Sequence, residues 1–151
     1  MFIVFMSLVY GFLSHASANS ALLVGEWQSD CFTEPQKTGG SKSTLYFYKN
    51  GQIRDTHSFY NDSECAGSFY SHEYNGTYRL VGGFERELTV DLFIEPMSVF
   101  DLIEKRVTLE FSGTKKFKMT LVSAKRADFY GPQDLTPEEV SDFVPADFYK
   151  Q

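Results

Sequence analysis

The feature that most constrains this chain is a strict alternation of apolar and polar side chains. Leu88, Val90, Leu92 and Ile94 fall on one side of an extended backbone, with Glu87, Thr89 and Asp91 on the other. Val107, Leu109 and Phe111 alternate with Thr108 and Glu110, and Phe117, Met119 and Leu121 alternate with Lys116, Lys118 and Thr120. Successive side chains of a strand point to opposite faces. Period-two patterning with one apolar face therefore specifies antiparallel strands, dry on one side and wet on the other. Ser112-Gly113-Thr114 supplies a hairpin turn between the last two. Further strands are expected near 22–29 and 67–81.

The turns complete the pattern. Asn50-Gly51, inside "STLYFYKNGQIRDTHSFY", is the favoured pair for a two-residue type I′ hairpin. Such a turn sets Tyr48 opposite Ile53 and Tyr46 opposite Asp55. Seven or eight short strands result, which predicts an all-β fold: an antiparallel up-and-down barrel or half-barrel, with a short C-terminal helix. The helix signal is Thr136 as N-cap, Pro137 at N1 and Glu139 at N3, a capping box. "PMSVFDLIEK" predicts one or two helical turns, with Met97, Phe100 and Ile103 on one side. "ADFY" occurs at 127–130 and again at 146–149, and reads as two aromatic anchors tacking the tail to the barrel.

Residues 1–15, "MFIVFMSLVYGFLSH", hold no Asp, Glu, Lys or Arg and lead into Ala16-Ser17-Ala18. A short apolar run ending at small residues reads as a secretory signal, cut after Ala18 to leave one domain over 19–151. A membrane span would need about 20 apolar residues. Two cysteines, Cys31 and Cys65, in an exported chain predict a structural disulfide. A redox or metal pair would show closer spacing, such as C-x-x-C, or supporting His ligands. The formal net charge of −6, with no Lys/Arg cluster, argues against nucleic acid or an anionic membrane as partner.

No converging catalytic set stands out, so no enzymatic activity and no cofactor are expected. Asp55-x-His57 could orient a general base, and Asp55, His57 and His72 are possible metal ligands without recognised spacing. Solvated strand residues explain the same letters. Asn61-Asp62-Ser63 and Asn75-Gly76-Thr77 are N-glycosylation sequons, which turn residues also explain.

Aromatic residues are in excess, at 17 % of the chain, and crowd both faces of the first strands. They pack under the tail, line a cavity or form a partner surface. The expected ligand pocket is Tyr46, Tyr48, Phe59, Met97 and Phe100, the last two on a segment that acts as lid or plug.

Gly25-x-Trp27 on a first strand resembles the lipocalin and calycin signature. That resemblance implies a Trp closing the barrel floor with a basic residue from the end of the last strand over its ring, here Arg126. A narrower likeness covers residues 25 to 95. "GEWQSDC", "YFYKNGQI", "SFYNDSEC" and "NGTYRLVGG" resemble the domain of the adenomatosis polyposis coli down-regulated family in order and spacing. Tyr60, Asp62 and Cys65 match its Tyr-x-Asp-x-x-Cys element, and Gly76-x-Tyr78 and Gly82 follow. Animal members bind lipid-modified Wnt proteins. The resemblance implies a lipocalin-like fold, the disulfide and a tendency to bind an acyl or other apolar ligand. The expected function is an extracytoplasmic carrier of a small apolar or acyl ligand or lipid-modified partner. The alternative is a secreted protein-binding module that uses an aromatic surface and stores nothing.

Overall fold

Every long alternating segment forms a strand. The computed structural model describes residues 20–33, 38–67, 69–99, 101–140 and 145–151. Ten strands follow in order: β1 (Gly25–Ser29), β2 (Phe32–Thr33), β3 (Gly40–Phe47), β4 (Gln52–Tyr60), β5 (Phe69–Phe84), β6 (Glu87–Ile94), β7 (Leu102–Phe111), β8 (Lys116–Arg126), β9 (Gln133–Leu135) and β10 (Ala146–Lys150). From β3 to β8 each strand pairs antiparallel with the next. β10 then pairs β8, β1 pairs β10, and β1 also pairs β3. This closes an eight-stranded antiparallel barrel, consistent with a lipocalin-like fold. Closure leaves little unpaired strand edge. β2 extends the β1 side of β3, and β9 covers the far half of β8.

The core follows the alternation. Leu88, Val90, Leu92, Val107, Leu109, Phe111, Phe117, Met119 and Leu121 are all buried in one cluster with Trp27, Phe47, Ile53 and Phe148. Asp91, on the opposite face, is also fully covered, because its cross-strand neighbours Arg79 and Arg106 close over it. Arg106 holds both carboxylate oxygens, at 2.7 and 2.9 Å, and Arg79 donates at 2.9 Å.

Four local expectations are corrected. The β3–β4 turn is a three-residue loop, with Tyr48 N–H donating to Gln52 O and Gly51 at φ 84°. Only Gly51 takes the left-handed conformation, whereas type I′ would require it of Asn50 too. Phe47 therefore faces Ile53 and Leu45 faces Asp55. Asn75-Gly76 is no turn but the middle of β5; a side chain on Gly76 would overlap the Phe93 carbonyl of β6. Residues 95–99 and 101 form no helix, and Leu102 and Ile103 already belong to β7. The C-terminal helix is a single 3-10 turn, Pro137–Glu139, where the Glu139 carboxylate accepts from the N–H and hydroxyl of Thr136.

The "ADFY" copies also diverge. The second is part of β10 with Phe148 buried, while Phe129 and Tyr130 of the first are exposed. Residues 1–18, the expected signal, lie outside the described residues.

Candidate ligand site at the open end of the barrel

One end of the barrel is sealed by aromatic packing. Trp27, fully buried, meets Phe117 at 4.6 Å and Phe111 edge-on at 5.9 Å between ring centroids. A helical turn over 20–23 lies beneath, and its Leu23 carbonyl accepts from Trp27 Nε1 at 2.7 Å. The floor expected at Gly25-x-Trp27 is thus present, but its cation is not Arg126. Lys150 of β10 places Nζ 5.2 Å from the centre of the Trp27 ring. Arg126 ends β8 and pairs with Leu102 and Gln133, whereas Trp27 packs on Phe117 at the start of that strand. Arg126 lies nine positions beyond Phe117 along β8, about 30 Å of extended chain. Gly25, at φ 127°, sits beside Lys150 where a side chain would crowd Lys150 Cε.

The other end is organised by the disulfide. Cys31 follows β1 and Cys65 follows β4; they are bonded, with Cα atoms 5.8 Å apart. The Tyr60-x-Asp62-x-x-Cys65 element has a local physical reason. The Asp62 carboxylate accepts from the N–H groups of Glu64, Ala66 and Gly67, and so builds the turn that delivers Cys65. Those hydrogen bonds hold the Asp62 carboxyl below its ordinary range. Asn61, the first sequon residue, is exposed beside this turn, and Asn75 of the second is exposed on β5.

Between floor and rim the inner face changes character. Direct partners in an antiparallel pair share a face, so Ile53 lines up with Gly76, Asp55 with Tyr74, His57 with His72 and Phe59 with Tyr70. Ile53 is in the core, and Asp55 above it is buried, only 3 % exposed. Lys105, on the inner face of β7, donates from Nζ to Asp55 Oδ2 at 3.2 Å. β4 and β7 are not neighbours in the sheet, so this ion pair crosses the lumen. His57 Nε2 stands 3.0 Å from Asp55 Oδ1, yet off hydrogen-bond alignment. That buried oxygen therefore has no aligned donor among the described residues. Burial would raise the Asp55 carboxyl, but the adjacent Lys105 ammonium and His57 outweigh it and hold it well below the ordinary range. Burial raises the Tyr74 hydroxyl, and the charges of Asp101 and Asp55 add to it.

Above the ion pair the lumen is lined by rings. Phe59 stacks on Tyr70 at 5.2 Å, with His72 edge-on to both, and His57 meets Tyr74 edge-on at 5.8 Å. Tyr70 is 63 % exposed although it is on the inner face, which marks this end as open.

Of the expected pocket residues, Phe59 is where a ligand could reach it. Tyr46 and Tyr48 are on the outer face, their rings tilted against each other at 4.4 Å, because the hairpin register is one residue away from the type I′ pairing. Met97 is at the open end but 60 % exposed, so it does not serve as a core plug. Phe100 lies outside the described residues. Asp55 and His57 are not solvated surface residues of one kind: Asp55 is buried and His57 forms part of its cover. Lys105 went unnoticed. Its signal was parity, since it occupies the inner position two residues before Val107 and four before Leu109.

Among the described residues no group of three or more His, Cys, Asp or Glu side chains is placed to hold a metal ion, and no helix is long and apolar enough to cross a membrane. Compared with known proteins, the chain matches no family model, no curated protein and no solved structure.

Proposed function

We propose that this chain is an extracytoplasmic binding protein whose open barrel end takes a small apolar or acyl ligand, or the lipid group of a modified partner. One observation carries the reading. Phe59 and Tyr70 inside the lumen and Phe69, Met97, Phe129 and Tyr130 around the rim put large apolar side chains in contact with solvent at that end, while Val81, Phe84 and Tyr149 are exposed on the walls toward the sealed end. Exposed apolar surface concentrated around a concave opening marks an interaction site. The disulfide supports an oxidising compartment, reached through the apolar segment at residues 1–18. The likeness to the adenomatosis polyposis coli down-regulated domain supports the same ligand class. Binding without catalysis is the activity we assign.

Native mass spectrometry of protein purified from its own compartment tests this, together with titration of a fluorescent fatty acid. A co-purifying small molecule or saturable probe binding is expected. Clean apo protein that binds no apolar probe would end the carrier reading. The same rim also supports a second reading, a protein-binding module, because Phe129 and Tyr130 stand clear of the lumen. A stable protein partner on an apo barrel would favour that one.

A further inference from the structure

The cross-lumen ion pair sets what head group a ligand can carry. Asp55 and Lys105 bridge β4 and β7 between the sealed end and the open end, so the accessible chamber is the part above them. The rings of Phe59, Tyr70, His72 and Tyr74 stand on its β4–β5 side. Its base presents a buried carboxylate with one oxygen held by Lys105 and the other, Oδ1, without an aligned donor. A buried acceptor with no aligned donor keeps part of the free-energy demand for a partner. Among the described residues, His57 stands against Oδ1 at 3.0 Å; its side chain is 41 % exposed and free to turn outward, and because it helps hold the carboxyl low, an incoming donor must replace what it gives up. Asp101 adds negative charge near Tyr74 on the same side.

We propose that the chamber binds a compact aromatic or apolar ligand ending in an ammonium or similar N–H donor, with rings against Phe59 and Tyr70 and the donor on Asp55 Oδ1 as His57 turns outward. The proposal rests on the reading of the open end as a ligand site. It specifies polarity. An ammonium completes the carboxylate, and the surrounding aromatic faces favour a cation. A carboxylate head would instead seek Lys105 and Arg126, whose buried Nε is the other polar atom without a partner among the described residues.

The experiment titrates full-length protein calorimetrically with 2-phenylethylamine and with 3-phenylpropionate, probes of matched body and opposite head. The amine is expected to bind at least about tenfold more tightly, the scale of one hydrogen bond to a charged group. Lys105→Met should tighten the amine further, since the ligand's ammonium then replaces the lost counter-ion. Because that variant leaves a buried charge alone and can fail to fold, the double variant Asp55→Asn/Lys105→Met is the decisive one. Neutral and similar in volume, it should keep the fluorescent fatty acid and lose the amine preference. A preference for the carboxylate, or an amine preference intact in the double variant, overturns the proposal while the carrier reading stands. Binding of the fatty acid but of neither phenyl probe overturns it as well. Failure of all three probes removes both.

Discussion

Trp27 and Lys150 are joined by direct strand pairing and by a cation over an indole, so the floor depends on the end of β10 rather than on the end of β8. Trp27→Ala should lower stability by about 3–5 kcal/mol in chemical denaturation, as large aromatic truncations in cores do. Lys150→Met should remove about 0.5–2 kcal/mol, whereas Arg126→Met should leave the emission of this single Trp unchanged. Asp55 gives the clearest pH dependence. Its carboxyl is held below the ordinary range in the folded chain, so the unfolded chain takes up the proton first as pH falls. The stability it confers is complete above about pH 4 and declines below it. Asp62, Asp91 and Glu139 are shifted in the same direction and steepen the decline. Denaturation midpoints between neutral pH and pH 3 should show less acid loss in Asp55→Asn/Lys105→Met than in the parent chain. Equal acid loss in both would refute the assignment. Which residues faced the lumen was only partly legible. A one-residue change of register turns every side chain to the opposite face, and that is why Tyr46 and Tyr48 exchanged places with Leu45 and Phe47.

Between β3 and β4 the register was set by one conformational detail, the number of left-handed residues in the turn. Asn-Gly satisfies both a two-residue turn and a three-residue loop ending on glycine, so the pair announces a hairpin without fixing its alignment. Gly51→Ala should therefore cost about 1–2 kcal/mol. β5 teaches the complementary lesson. Asn75-Gly76 has the letters of a turn, but the glycine is needed because β6 passes too close for a side chain. Local composition cannot distinguish these cases, since the crowding comes from residues far along the chain. β6, β7 and β8 were legible because Leu88–Ile94, Val107–Phe111 and Phe117–Leu121 each hold at least three successive apolar positions in alternation. At the open end, Cys31→Ser/Cys65→Ser should lower stability by about 3–4 kcal/mol on the chain-entropy account. Hydrogen exchange should rise in the 61–67 turn and leave the Trp27 floor protected. Uniform loss of protection would mean that the bridge stabilises more than the rim.

The barrel as a whole is a meander from β3 to β8, closed by two strands from opposite ends of the chain. The alternation predicts a barrel or half-barrel, and the two ADFY copies predict a tail tacked onto it rather than a wall strand. Its short alternation, one buried Phe148 between polar neighbours, is too brief to identify a strand by itself. Only the vacancy between β8 and β1 defines its place. The same vacancy imposes an order on assembly. β1 emerges early from a ribosome, yet one of its two neighbours is made after every other barrel strand, with Trp27 opposite Lys150. Until residues 146–150 arrive, the Trp27 floor lacks the Phe148 ring and the Lys150 ammonium, and two strand edges stay unpaired. A half-made chain is thus sticky and unable to finish, and the long loop that must close is an entropic delay no local signal can shorten. On the extracytoplasmic reading proposed above, that delay has a use: the sheet cannot lock into a barrel while β10 is still on the side of synthesis.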